Sequence, residues 1–595
     1  MTNTVTGNIS IHTDNIFPII KKWLYNEKEI FIRELISNAC DAMTKRKKLS
    51  TLKKPIISIK TDDKKKTLTI SDNGIGMTAE EVQKYINQIA FSSAEDFIEK
   101  FKDDKNQSDI IGHFGLGFYS AFMVSKTVEI ETLSYQKNAK PANWTCDGST
   151  EFKIKEGART DIGTDIILHL DKDNVEFSNA EKIKSMVKKY ANFMPVEITV
   201  NGDVANDQNP LWIQQPKDVK DEEYKEFYQK LFPFKQEPLF WIHLNVDYPF
   251  NLKGILYFPK IQHEFDHSKE NVSLYCRQVF VSAHTQEVLP EFLTLLQGAI
   301  DCPDLPLNVS RSMLQNDPYV QKISKHIVKK VADKLTQLFK KDRENFETYW
   351  DDINPFIKYG MMQHNDFYEK VKDIVLFKLS NGKSTTIPEY IESNSKKLDK
   401  TVVYCTNEDT QSTYLNLCKE QNIDVIFLNS AIDTHFLSFI ESKDTEIKYK
   451  AVDSDLGDLF TDKQLNESEA KKITELFETH LKQDGLTIKT ENLKTNQISA
   501  MISESEEMKR MKAMTAMMGG NKSTPFPSNL TLIVNANSPV IKKVVTKNDL
   551  KPDNPDIKLL CEEILDLAKL AQQPLSGNDL QSFVHRTNDF LTKIL

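Results

Sequence analysis

The chain of 595 residues predicts a multidomain α+β protein that opens with an α/β sandwich, on three observations. Its length exceeds what one hydrophobic core organises. Residues up to about 205 alternate helical and strand patterns, which implies helices covering a sheet. One early helix also carries two carboxylates and a carboxamide on a single face.

Taken in order, that helix comes first. Glu34, Asn38 and Asp41 are spaced i, i+4, i+7 and share a face, while Ile30, Phe31, Leu35 and Ile36 supply apolar surface elsewhere. Polar groups on an enclosed face need partners, and a magnesium nucleotide would supply them. Strands are expected over 55–60 and 66–71 around a charged turn at 61–65, then over 127–132 and 164–170. The Gly, Asp and Asn cluster at 201–210 marks a loop and a first domain boundary.

A second α/β unit follows, with strands over 250–258 and 272–281 and a long helix over 317–343. Short apolar runs at 401–405 and 424–428 flank a helical stretch, the pattern of a parallel βαβ module. A break near 448–458 leads into the last region. The expected domains are 1–205, 206–448 and 449–595.

Two features mark the tail. Met501, Met508, Met511, Met514, Met517 and Met518 are six of the chain's 15 methionines, and 501, 508, 511 and 518 fall on one helical stripe before Gly519 and Gly520. Such a stripe suits a surface accepting varied apolar shapes or, equally, a core helix. Beyond it, leucine-rich segments on either side of Pro574 and Gly577 form a helical hairpin. Two such helices have too little partner surface of their own, so pairing with a second copy into a four-helix bundle is expected.

Composition excludes several classes. Charged residues are 27%, aromatics 9% and the net charge −9, an ordinary globular balance that argues against bulk capture of nucleic acid. No apolar run approaches the ~18–20 residues that cross a bilayer, and the start lacks a signal-peptide pattern. The 7 cysteines are scattered and form no Cys-x-x-Cys pair, so disulfide scaffolds and zinc sites are disfavoured and a reducing cytoplasm is expected.

The chemistry is spread over four weak motifs. Glu34 is the candidate general base for water attacking a γ-phosphate, with Asn38 one turn on as a magnesium ligand and Asp41 extending the face toward sugar or ordered water. Asp72 ends a strand pattern and is followed by Gly74, Gly76 and Met77. A buried carboxylate there would accept the adenine amine and reject guanine, although such clusters also form ordinary turns. Gly112, Gly115 and Gly117, followed by Phe118, would turn successive amides toward phosphates at a helix start continuing over 119–124. The polar stretch 91–108 reads as a lid or a surface loop, and Thr164 could support Asp72. No Walker A motif is present.

In this order and spacing the motifs resemble the ATP fold shared by gyrase B subunits, MutL-type ATPases, histidine kinases and heat-shock-90 chaperones, the Bergerat or GHKL sandwich. Residues 26–41, 111–124, 144–150, 305–315 and 570–577 together resemble the heat-shock-90 family, bacterial HtpG type, from about residue 8 to the end. The resemblance implies an N-terminal ATP-binding domain with a lid at about 91–117, a middle α/β domain and a C-terminal α+β dimerisation domain. It makes Glu34 the catalytic glutamate, Asn38 the magnesium ligand, and Asp72 the adenine aspartate assisted by Gly76, Met77, Phe118 and Thr164.

Arg311 and Gln315 match the family's middle-domain catalytic loop, where a guanidinium would neutralise charge developing on the γ-phosphate. The implied activity is ATP hydrolysis with Mg²⁺ by a homodimeric clamp that binds unfolded or partly folded clients, works beside other chaperones, and meets neither nucleic acid nor membrane. Tyr85 and Phe91 depart from the family's common Asn and Lys, and His113 from its glutamine. The alternatives are a DNA-processing ATPase of gyrase or MutL type, which the acidic balance disfavours, and a passive holdase with a vestigial site.

Overall fold

The structure is a computed structural model and describes residues 27–89, 91, 110–112, 115–260, 271–282, 288–305, 307, 318–430, 432–454, 461, 465–517, 530–552, 554–572 and 574–595. Two compact units form, divided between Val331 and Ala332.

The first unit opens with helix α1 (Ile30–Leu49), whose last turn carries Arg46, Lys47 and Lys48 where they suit the helix dipole. An eight-stranded sheet follows: β1 (Ile56–Asp62), β2 (Thr67–Asp72), β3 (Ser125–Leu133), β4 (Ala142–Cys146), β5 (Phe152–Glu156), β6 (Gly163–Leu170), β7 (Glu197–Val200) and β8 (Asp203–Val204). Its order is β5-β4-β3-β6-β2-β1-β7-β8, antiparallel except for the β1–β7 pair. Period-2 alternation puts Leu68, Ile70 and Asp72 of β2 on the covered face, where Ile57 and Ile59 of β1 join them. Against that face α1 packs Phe31, Leu35 and Ile36, all fully buried. A carboxylate therefore ends an apolar row directly beneath the polar side of α1.

The expected helix over 119–124 is instead a short 3₁₀ helix, Gly117–Met123. Its tighter winding buries Phe118, Tyr119 and Phe122 together, with the Phe118 ring edge-on to Trp144 at 5.8 Å. Thr78 and Glu81 form a capping box (3.2 and 2.8 Å) that starts the helix Ala79–Tyr85 after the glycine turn.

A five-stranded sheet follows in the same unit: β9 (Phe240–Val246), β10 (Leu252–Phe258), β11 (Val272–Cys276), β12 (Val279–Ser282) and β13 (Gln297–Asp301), in the order β12-β11-β13-β10-β9. The single strand expected over 272–281 is two strands, because Arg277 and Gln278 take positive φ, 54° and 64°, and turn the chain into a hairpin.

In the second unit, Thr401–Cys405 and Ile426–Phe427 pair in parallel around the helix Ser412–Glu420, the expected βαβ module. The helix expected over 317–343 is Pro318–Lys341, after which Asp342 caps a new helix, Arg343–Gln363. A three-stranded sheet (Leu486–Glu491, Leu530–Asn535, Ala500–Glu504) then carries the helices Glu467–His480 and Pro555–Leu570 on its core.

The methionine stripe is corrected here. Met501 lies in the strand Ala500–Glu504, 4% exposed, while the helix is Glu506–Met517. Met508 is half-buried, Met511 is 45% exposed, and Met518 lies outside the described residues. The final hairpin is as expected, Pro555–Leu570 and Gly577–Ile594 around Pro574.

Candidate functional site

The site grows from the polar side of α1. Arg33, Glu34 and Asp41 are all at least nine-tenths buried there, and Asn38 is half-buried between them. Buried charges persist only when paired, and each finds a partner. Glu34 Oε1 accepts Arg33 Nη2–H (2.8 Å) and Nε–H (3.1 Å). Its Oε2 faces Gly117: a Cβ on that glycine would stand 2.6 Å from the oxygen. The glycine leaves that oxygen its room.

Asp41 departs from the expected open contact with sugar or water. Both its oxygens accept backbone amides, Ile111 N–H on Oδ1 and Gly112 N–H on Oδ2, each at 2.7 Å. The carboxylate seats the glycine segment on α1, and a Cβ on Gly112 would lie 3.6 Å from Asn38 Oδ1.

Asp72 stands across from this face. The turn after it is stitched to α1 by Ile75 N–H on the Ala42 carbonyl (3.0 Å), and a Cβ on Gly74 would meet Ala42 Cβ at 2.6 Å. Gly74 N–H donates to Asp72 Oδ1 (2.7 Å). Gly76, at φ +65°, has no room for a side chain, since a Cβ would fall 1.8 Å from the Leu133 carbonyl oxygen. Met77 N–H donates to Thr132 Oγ1 (2.9 Å), and that hydroxyl shares a hydrogen bond with Thr164 Oγ1 (3.0 Å), directly opposite Asp72 in the β2–β6 register.

Burial pushes the Asp72 carboxyl up to about 7, against the opposing pull of the Gly74 amide, the Arg159 guanidinium and the Thr164 amide. A carboxyl with that balance ionises readily once a donor approaches it.

The structure therefore brings Glu34, Asn38, Asp41, Asp72, Gly76, Met77, Gly112, Gly117 and Thr164 to one neighbourhood. Gly115, at φ +63°, abuts the backbone of Phe91. Phe118 belongs to the apolar cluster with Tyr119, Phe122 and Trp144. Arg311, Gln315, His113 and the whole stretch 92–109 lie outside the described residues.

Three supporting arginines escaped sequence reading. Arg33 holds Glu34. Arg159 pairs with Asp165 and donates to the Asp72 carbonyl (2.9 Å), and Arg46 donates to the Asn73 carbonyl (2.7 Å), so two guanidinia clamp the backbone of the Asp72 turn. Only Arg33 had a signal, a charge inside the run Ile30-Phe31-Ile32-Arg33-Glu34-Leu35-Ile36 that no exposed helix face explains.

The donor set fits a nucleotide with a hard cation: a half-buried carboxamide, a carboxyl beside the glycine turn, and backbone amides on a glycine segment. Comparison with known proteins supports the nucleotide part of that fit. Residues 25–182 match the family described as histidine kinase-, DNA gyrase B-, and HSP90-like ATPase, and residues 196–595 match the family described as Hsp90 protein. The chaperone protein HtpG of Bacteroides fragilis is 43% identical over 95% of this chain and 87% of its own length. HtpG of Bacteroides thetaiotaomicron is 44% identical over 91% and 85%. The mitochondrial TNF receptor-associated protein 1 homolog of Dictyostelium discoideum is 30% identical over 98% and 85%. With the two profiles covering most of the chain and the relatives nearly all of it, the chain belongs to the heat-shock-90 family of ATP-dependent molecular chaperones, in its bacterial HtpG branch.

Proposed function

We propose that the pocket between α1 and the Asp72 turn binds ATP and that Glu34 is the base for its hydrolysis. The observation that carries this reading is Asp72 itself: a 7% exposed carboxylate ending an apolar strand row, beside a glycine turn clamped by Arg46 and Arg159. A core position tolerates such a group when a bound donor satisfies it, and the exocyclic amine of adenine is that donor. Guanine presents a carbonyl oxygen instead, so a carboxylate here selects adenine.

Each residue then has a task. Asn38 Oδ1 and the phosphate oxygens would hold Mg²⁺, which supplies charge neutralisation at the phosphates when bound. Gly115 and Gly117 give backbone amides to the phosphates, while Asp41, by holding the Ile111 and Gly112 amides, keeps the start of that segment against α1. Arg33 fixes Oε1 of Glu34, which leaves Oε2 to take the proton from an attacking water. Thr132 and Thr164 line the adenine side with Gly76 and Met77. Arg311, with Gln315, would stabilise the γ-phosphate charge, a contribution of roughly 10³–10⁵ in rate in other phosphoryl-transfer enzymes.

The wider cycle follows from the family. Residues 1–205 form the ATP-binding domain, 206–448 the middle domain and 449–595 the dimerisation domain, and two chains pair through the last helices in a cytoplasmic homodimer. Those helices leave Leu567, Leu580, Val584 and Leu591 between 45% and 52% exposed, apolar surface of the kind an interface covers. Clients are unfolded or partly folded proteins, handled beside other chaperones.

The test is steady-state ATP hydrolysis by the wild type and Glu34→Ala with nucleotide binding followed in parallel. A variant that binds ATP as the wild type does but no longer turns it over supports the assignment. Undiminished turnover in the variant removes it.

A further inference from the structure

The second sheet reaches the glycine segment through one hairpin turn. Arg277 and Gln278, between β11 and β12, both sit in the left-handed region (φ 54° and 64°). Neither is Gly or Asn, and such a conformation is strained for an ordinary side chain, so the turn needs an external restraint. Asp301 at the end of β13 provides it: Oδ2 accepts Gln278 N–H (3.0 Å) and Trp212 Nε1–H (3.4 Å). The carboxylate is 5% exposed, and among the described residues its Oδ1 has no hydrogen-bond partner.

Apolar docking then fixes where the turn points. Val279, immediately after it, is buried in the core shared by α1 and the first sheet. Phe280 packs edge-on to Tyr190, ring centres 6.1 Å apart. Held from both sides, Arg277 donates from Nη1 to the carbonyl of Ile110. The next two amides, Ile111 and Gly112, are the pair bound by Asp41. The segment 110–112 is therefore gripped by its carbonyl from the second sheet and by its amides from α1.

We propose that Arg277, with its turn held by Asp301, is a positioning residue for ATP binding and hydrolysis: it seats 110–112 on Asp41 and so couples the second sheet to the nucleotide pocket. The proposal rests on the nucleotide reading above. Removing Arg277 frees one end of the segment, so its amides leave Asp41 more often and Gly115 and Gly117, which follow it, face the phosphates in the right geometry less often. A lysine can still reach a single carbonyl with one donor. An alanine cannot.

The experiment uses the full chain as wild type, Arg277→Ala, Arg277→Lys and Asp301→Asn, with three readouts: hydrogen exchange at the Ile111 and Gly112 amides without nucleotide, the dissociation constant for Mg-ADP, and the melting temperature. Arg277→Ala is expected to speed exchange at both amides about tenfold and weaken Mg-ADP by a similar factor, with the melting temperature unchanged. Arg277→Lys should recover most of both losses, and Asp301→Asn should show them in weaker form. Unchanged exchange in Arg277→Ala overturns the proposal, as does faster exchange with unchanged Mg-ADP affinity, which would break the coupling. If the wild type itself binds no Mg-ADP, the nucleotide reading fails visibly in its own measurement and the proposal falls with it.

Discussion

Moving the pH from 8 to 6 should loosen adenine binding about tenfold through Asp72 alone. Burial lifts that carboxyl from 3.8 to about 7, a difference of about 4 kcal/mol between its two protonation states. At pH 8 about nine-tenths of the carboxyls are ionised, and at pH 6 about one-tenth. If only the carboxylate accepts the adenine amine well, affinity follows the ionised fraction. Adenosine is the suitable ligand, because it has no phosphate to titrate in this window, and nuclear magnetic resonance titration suits its modest affinity. Binding at pH 7 should also release about half a proton, seen as a buffer-dependent heat in calorimetry. A dissociation constant flat between pH 6 and 8, or an equal pH slope in Asp72→Asn, would refute the reasoning.

The same carboxyl makes an opposite demand on stability. Its folded value lies above its unfolded one, so the stability it contributes is fully present below about pH 4 and is lost as the pH rises through about 7. At pH 8 the ligand-free protein therefore carries an ionisation cost that adenine binding, as proposed, would relieve. Asp72→Asn should raise the melting temperature at pH 8 while removing adenine binding. A variant that lost both would point to a carboxylate serving the fold.

Three further outcomes follow from the packing. Gly76→Ala should destabilise the first domain by more than about 3 kcal/mol in denaturant unfolding, because it sets a Cβ 1.8 Å from a carbonyl oxygen at a positive φ. Leu567→Asp combined with Leu591→Asp should shift sedimentation from dimer to monomer and leave nucleotide affinity as it was, since both side chains are about half exposed in the single chain. Met511→Ser should change stability by less than about 0.5 kcal/mol, while Met501→Ser, in a buried strand, should cost several times that; equal losses would put the methionine helix in the core.

What the sequence disclosed was local, and what it withheld was long-range. The face shared by Glu34, Asn38 and Asp41 needs only helical spacing, and Asp72 with its glycines needs only a strand pattern and a turn signal. Arg159 and the backbone it clamps are 87 residues apart, and Arg46 and Asn73 are 27 apart. Nothing in either neighbourhood announces the meeting. The hairpin at Arg277 and Gln278 was illegible for a different reason: its left-handed turn lacks the Gly or Asn that normally signals one, because Asp301 supplies from a distance what those residues supply locally. Methionine density suggested one helical stripe, although Ser505 separates a strand from a helix within it.

One rule would have found more. Asp72 ends a row of buried apolar residues, and Asp301 ends a strand buried along its whole length. Each accepts a backbone amide from a neighbouring turn, Gly74 in one case and Gln278 in the other. Each is also raised by burial, to about 7 and about 6. A carboxylate closing an apolar strand costs folding energy, and in both sheets that cost fixes a turn beside the proposed nucleotide pocket. In the proposed site the first turn would face the base, and the second grips the segment that leads into Gly115 and Gly117. On this reading the two sheets use one device at two ends of one ligand, and Asp301→Leu should free its turn as Asp72→Leu frees the other.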